Sequence, residues 1–398
     1  MAAYILGVVL FALGIGISLA LHEAGHLLAG KAFGMKVRRY FVGYGPTLFS
    51  FRRGETEYGL KALPFGGFCD IAGMTTLDEL TADEDRRAMY KHRAWKRVAV
   101  MLAGPVTHFA LAFLVLYLLA STLGLPNLTQ QPVVSQVSSC VTDARTKEEL
   151  ANPTCAAGAT GPAQAAGIRP GDEITAVGGT ATPTWPDMVA AVQNSSGPTV
   201  FDVRRGDETL HLTVDVPRLD RPGAAEAVGV AGVSAATSLS YGPLDAFGAT
   251  AGFSAEMIGQ TAVKLAEFPQ RIPAVVSAIF GAERDPDTPV SVVGASRIGG
   301  EAIEAGLWQL FFLLLAGLNF FMGVFNLLPL LPMDGGHIAI ILYERVRNWF
   351  RERRGQTAAG PVDFSKLSTV TMVLVLIGGA VMLLTITADI VNPIRLTQ

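Results

Sequence analysis

Two histidines four residues apart, His22 and His26, flank Glu23 at the end of an unbroken apolar run, in the string His22-Glu23-Ala24-Gly25-His26. In a helix such a pair stands one turn apart on one face, so both imidazoles can bind one ion. Glu23 neighbours that face and can act as base on water held by the ion. Ionisable groups are costly inside an apolar helix, which makes their presence a functional signal. Catalytic zinc needs a third protein ligand and leaves a fourth position for water. Asp334 is the candidate, a lone carboxylate in Leu327-Leu328-Pro329-Leu330-Leu331-Pro332-Met333-Asp334-Gly335-Gly336-His337. The prolines and glycines of that string interrupt a helix and expose backbone to a cavity.

His337 is the alternative ligand, or a group that orients one. Asn326, before Asp334, can donate a hydrogen bond to a substrate backbone or a developing oxyanion. Asn319, two helical turns earlier, reads equally as an interhelical hydrogen bond. His92, His108 and His211 have no such company and read as surface or structural residues. The chemistry of the set is hydrolysis: the ion acidifies water and polarises a carbonyl, while Glu23 takes the proton and returns it to the leaving amine. Zn2+ is the expected cofactor, although two histidines and an aspartate suit several divalent ions.

These residues need membrane-spanning elements to position them. Half of the 398 residues are apolar and only 16% are charged, with a mean hydropathy of +0.38, a balance that points to a membrane protein. Four runs can each cross a bilayer: Met1 to Leu21, Val98 to Leu123, Leu307 to about Leu331, and Thr369 to about Ile390. Residues 31 to 97 carry 13 Lys and Arg against 8 Asp and Glu, whereas residues 124 to 306 carry 11 against 20. Basic residues mark cytoplasmic loops, so 31 to 97 and 345 to 366 should face the cytoplasm, with the acidic stretch and both termini outside. No Lys or Arg precedes Lys31, so the first run reads as a retained span rather than a secretion signal.

The expected fold is a polytopic α-helical membrane protein of four transmembrane helices with a membrane-associated β-hairpin region and one external domain. Residues 1–35 form the first transmembrane helix. Residues 36–74, rich in aromatic and β-branched side chains with Gly and Pro turns, form the β segment, whose edge could fold back to the active site. A cytoplasmic surface helix at 75–97 and the second transmembrane helix at 98–124 follow. Residues 132–218 form a small β-rich domain, and 219–306 a linker with amphipathic helices near Leu244 to Phe268 and Ile272 to Phe280. The first of these reads either as lying flat on the membrane surface or as an ordinary packed helix. Residues 307–343 make the third transmembrane helix with the Asp-Gly motif, 344–368 a cytoplasmic loop, and 369–390 the fourth transmembrane helix. Cys140 and Cys155 lie on the external side, where a disulfide persists; Cys69 reads as a small buried residue.

His22 to His26, Pro64-Phe65-Gly66-Gly67-Phe68, Ala103-Gly104-Pro105, and Asn326-Leu327-Leu328-Pro329 leading to Asp334-Gly335-Gly336-His337 follow one another in the order of a known family. The chain resembles the site-2 protease family of intramembrane zinc metalloproteases, in its bacterial, PDZ-containing branch, over nearly its whole length. Val37-Arg38-Arg39-Tyr40-Phe41-Val42-Gly43 and the ending Thr387 to Leu396 are most similar to actinobacterial members, mycobacterial ones included. Ala165-Ala166-Gly167-Ile168-Arg169-Pro170-Gly171-Asp172-Glu173-Ile174 resembles the core of bacterial PDZ domains, which makes 132–218 an extracytoplasmic PDZ domain. The resemblance implies a bacterial inner-membrane protease that cuts the transmembrane segment of a pre-trimmed single-span protein, with anti-sigma factors as expected partners. It also implies that the β segment pairs with an unwound substrate by edge addition, with Gly43, Gly66, Gly67 and Asn326 as candidate substrate-binding residues. The lipid bilayer is the other partner and nucleic acid is not expected. One departure stands out: the family commonly has Asn where this chain has His108. A metal-binding membrane adaptor and a metal or proton transporter are the competing classes. Intact Glu23 argues against the first and the absence of two similar halves against the second.

Overall fold

The computed structural model describes residues 1–75, 77–151, 154–285 and 287–396. The chain opens with α1 (Ala2–Ala32), β1 (Val37–Arg53), β2 (Thr56–Ile71), the short α2 (Ala82–Arg86) and α3 (Ala94–Thr122). A mainly β stretch follows: β3 (Leu125–Pro126), β4 (Val134–Val137), α4 (Lys147–Ala151), α5 (Pro162–Ala165), β5 (Glu173–Val177), β6 (Thr180–Ala181), α6 (Trp185–Gln193), β7 (Gly197–Arg205), β8 (Glu208–Val216), β9 (Arg218–Leu219), β10 (Val228–Gly229), β11 (Val233–Ala235) and β12 (Ser238–Leu239). Helices return with α7 (Pro243–Ile279), α8 (Val292–Glu304), α9 (Trp308–Asn326), α10 (Asp334–Arg353) and α11 (Ser368–Val391). Two compact units result, one of residues 1–121 with 242–398 and one of residues 122–241.

In the helical unit, α1, α3, α9 and α11 are long and apolar enough to cross a bilayer, and the chain is a multi-pass membrane protein. Lipid is as apolar as leucine, so these helices cannot be driven together by burial of apolar surface; close packing at small residues does that instead. Gly7 of α1 meets Gly300 of α8 so closely that a Cβ there would stand 2.8 Å from the Gly300 Cα, and Gly299 lies against the Phe11 ring. Phe11, Ile15, Ala302, Ile303 and Phe311 fill the seam. Buried ion pairs lock the rest. Arg97 of α3 meets Glu344 of α10 at 2.7 Å, and the Val362 N–H donates to the other Glu344 oxygen at 2.7 Å. Arg284 meets Asp389 of α11 at 2.7 Å with both side chains nearly inaccessible. Removing one partner of such a pair strands the other charge in a poor solvent.

β1 and β2 form an antiparallel ribbon with repeated register shifts: Val37 opposes Ile71 and Arg53 opposes Thr56, while Phe41 opposes both Phe68 and Gly59. Residues 39–42 therefore lie between two stretches of β2, and among the described residues 67–71 are opposed on one side only. Tyr40 anchors the ribbon to α1 by donating to the Ala20 carbonyl at 2.8 Å.

Several elements differ from the sequence reading. Residues 75–97 do not form one surface helix. The Met89 and Tyr90 N–H groups donate to Ala72 and Gly73 just past β2, and Met89 is buried, so the segment serves as a clamp between the short α2 and the start of α3. The two amphipathic helices of the linker are one, α7, running through Pro269 and Pro273 and buried along Ala246, Thr250 and Ser254. α8 was not anticipated, because its Gly-rich sequence reads as a turn when its glycines are contact surface. The third helix is split between Asn326 and Asp334, as its prolines require, and α10 continues to Arg353.

The second unit is built on a four-stranded sheet in the order β6-β5-β7-β8. Alternate residues face inward, Phe201 and Val203 on β7 with Val214 and Val216 on β8, against Met188 and Val192 of α6. Pairing of β11 with β4 and of β12 with β3 carries the unit past residue 218 to 239, in strands too short to show alternation in sequence. Cys140 and Cys155 are joined in a disulfide with Cα atoms 5.9 Å apart. Asp172 is buried, accepting from Arg205 Nε and Nη2 at 2.7 Å each and from the Arg169 N–H at 2.8 Å. Burial would raise its pKa, but the guanidinium and the N–H outweigh burial and hold it below the ordinary value.

A carboxylate depressed in the folded state adds stability above its unfolded pKa of about 3.9, and that stability fades as pH falls below it. Asp172→Asn therefore lowers the denaturation midpoint of an expressed 122–241 fragment at neutral pH, and the gap to the parent narrows below about pH 4. Denaturant unfolding followed by circular dichroism across that range is the check.

Candidate metal centre

α1 continues past its apolar run without proline, and this continuity places His22 and His26 on one face, both buried. Their Nε2 atoms are 3.2 Å apart. Asp334 arrives from the far end of the chain as the first residue of α10, just after the break between Leu327 and Met333. Gly335 and Gly336 let that break fold tightly on the helix start, since a Cβ on either would collide with the backbone of Leu327 and Leu328 or of Leu330 and Leu331. Asp334 Oδ2 then stands 3.3 Å from His22 Nε2 and 3.4 Å from His26 Nε2.

The triangle fits a metal ion. Bonds of about 2.0 to 2.1 Å in a tetrahedral shell separate neighbouring ligand atoms by roughly 3.3 to 3.4 Å. Protonation agrees. His26 Nδ1 faces the Val100 carbonyl at 2.8 Å, so that nitrogen carries the hydrogen and Nε2 keeps its lone pair. Asp334 Oδ2 is buried and accepts no hydrogen bond. Lone pairs that converge away from water repel one another unless a positive charge lies among them. Among the described residues, His22, His26 and Asp334 are a group whose ligand atoms lie within 4.8 Å of one another and could hold a metal ion.

α3 supplies the wall. A Cβ on Gly104 would run into His26 Nε2 and lie 2.8 Å from His22 Cε1, so only glycine leaves room for both rings. Gly25 likewise lets α1 approach the Ala103 carbonyl. One turn beyond Gly104, His108 is fully buried, with Nδ1 3.0 Å from Asn319 Oδ1 of α9 and its ring 4.9 Å from that of His22.

Glu23 sits between the triad and the ribbon. A Cβ on Gly67 would stand 3.1 Å from Glu23 Cγ, and the Cys69 backbone faces the Glu23 carboxyl. Tyr44 donates to the Gly67 carbonyl at 2.9 Å. Gly66 has φ +85° against the Tyr44 ring, and Gly43 has φ +87° against the Lys61 and Leu63 carbonyls, so both are required by the backbone itself. Of the candidate substrate residues, Gly67 is thus brought to Glu23. Asn326 donates to the Met322 carbonyl at 3.0 Å, a local helix bond. His337 stacks on Phe364 outside the triad. His211 pairs with Asp202 at 2.6 Å in the other unit. Three contributors escaped the sequence reading: the Val100 carbonyl, the Cys69 backbone, and Gly104 as the space for the imidazoles. Only the last left a trace, in the Ala103-Gly104-Pro105 string.

Residues 10–370 match peptidase family M50. The chain is 47% identical over 407 residues to the zinc metalloprotease Rip1 of Mycolicibacterium smegmatis, covering 99% of both chains. It is 46% identical over 408 residues to the zinc metalloprotease Rip1 of Mycobacterium tuberculosis, covering 99% of this chain and 100% of the relative.

Gly104→Ala should drive the imidazoles apart while leaving a good helix former in α3, reducing affinity for a divalent ion by at least about tenfold. Elemental analysis of the purified protein beside the parent measures this.

Proposed function

The chain belongs to peptidase family M50, and from that membership we propose that His22, His26 and Asp334 hold zinc at membrane depth for the hydrolysis of transmembrane peptide bonds. The observation that carries this is the 3.2 to 3.4 Å triangle of their ligand atoms. Zinc, when bound, supplies a Lewis acid that polarises the scissile carbonyl. Glu23 takes a proton from the attacking water and delivers it to the leaving nitrogen, so the elements of water add across the broken C–N bond. A helical substrate hides its carbonyls in its own hydrogen bonds and must be extended first. The stretch 67–71, opposed on one side only among the described residues and reaching Glu23 at Gly67, offers an edge to which an extended segment adds as a strand.

The substrates are single-span membrane proteins already trimmed outside the membrane, anti-sigma factors foremost. The basic loops face the cytoplasm and residues 122–241 lie outside as a PDZ domain, a reading supported by the Ala165 to Ile174 string and the sheet capped by α6. A cavity of about 400 Å³ lined by Met188, Val192 and Val233 together with Gln193, Arg221 and Ser234 favours capture of a C-terminus there.

Glu23→Gln should retain zinc and lower cleavage of a co-expressed anti-sigma factor by about 10²- to 10⁴-fold. Asp334→Ala should lose both zinc and cleavage. Immunoblots of the substrate with metal analysis of the purified variants test the pair, and undiminished cutting by the Gln variant removes Glu23 as the base.

A further inference from the structure

Two buried ring nitrogens beside the triad accept or donate no hydrogen bond: Nδ1 of His22 and Nε2 of His108. Their rings lie 4.9 Å apart, centre to centre, tilted by 34°. The neighbours fix where each hydrogen sits. The Asn319 amide nitrogen donates to the Leu315 carbonyl at 2.9 Å, which leaves Asn319 Oδ1 facing His108 Nδ1 at 3.0 Å. An amide oxygen only accepts, so His108 Nδ1 carries the hydrogen and His108 Nε2 a lone pair. His22 is the reverse. Its Nε2 points at Asp334 Oδ2 and His26 Nε2, and a ring that ligates through Nε2 keeps its hydrogen on Nδ1.

A buried donor and a buried acceptor thus stand on adjacent rings, and each is costly if left unmet. We propose that His108, held by Asn319, is the positioning residue for His22: its Nε2 is the acceptor available to the His22 Nδ1 hydrogen and sets that ligand's tautomer and ring angle. Metal-bound histidines nearly always donate their second N–H outward. His26 has the Val100 carbonyl for that purpose, and His22 has no protein partner among the described residues. An alternative role for His108, donating to a substrate oxyanion, is excluded by the lone pair at its Nε2. The proposal rests on the zinc reading of the triad.

The test is zinc affinity of the full chain in detergent, stripped of metal and titrated against a fluorescent chelator, with thermal unfolding of the metal-free proteins alongside. His108→Phe keeps a ring but removes both nitrogens and should bind zinc about 10- to 100-fold more weakly. Asn319→Leu frees the His108 tautomer and should weaken binding in the same direction. The double variant should be no weaker than His108→Phe alone, because the two act as one unit. His108→Asn restores an acceptor and should recover part of the loss. Parent-like zinc affinity in His108→Phe overturns the proposal, as does a loss fully matched by lower metal-free stability. An unaltered chain that takes up no zinc overturns the metal reading itself, and this proposal with it.

Discussion

An apolar interior accepts a carboxylate and two imidazoles at one point only when their lone pairs share a positive charge. The rest of the helical unit is arranged around that condition. α1 brings the histidines, and the broken helix between α9 and α10 turns Asp334 back onto them. α3 withholds a side chain at Gly104 so that the rings fit. None of these elements makes sense as lipid-facing structure alone, because each gives up regular helix or side-chain volume at the place where the ligands meet.

Two different forces hold the unit in that arrangement. Close backbone approach at Gly7, Gly299 and Gly300 joins α1 to α8 by dispersion contacts. Ion pairs and hydrogen bonds out of reach of water, such as Arg284 with Asp389, fix orientation more sharply than apolar contact can. The β ribbon adds a third component by pressing Gly67 and the Cys69 backbone onto Glu23. The candidate base is thereby held from the strand side and the candidate ligands from the helix side.

The site was legible in sequence to the extent that its chemistry violates its surroundings. His22, Glu23, His26 and Asp334 are conspicuous because charge is costly in apolar runs. The four long apolar helices were readable for the same reason of composition, and peptidase family membership agrees with the motif order. Contributions made by backbone, such as the Val100 carbonyl on His26, carry no residue signature at all. α8 was missed because glycine signals a turn by propensity but serves here as a packing surface, and only the partner helix tells the two apart. Residues 75–97 misled in the opposite sense, since their charge suggests a surface helix while the Met89 and Tyr90 N–H groups are taken by Ala72 and Gly73. His108 was read as structural, and its link to Asn319 becomes visible only when α3 and α9 stand side by side.

The buried polar links share a feature with consequences for how the protein is made. His22 and His26 meet Asp334, Arg97 meets Glu344, His108 meets Asn319, and Arg284 meets Asp389. The first three each join α1 or α3 to α9 or α10, and the last joins the segment before α8 to α11. A ribosome delivers the first partner into the bilayer long before the second exists, so the opening helices wait with unmet polar groups until the closing ones arrive. Assembly of the helical unit is therefore a late event of biosynthesis, and the half-made chain is the form most in need of protection by the insertion machinery.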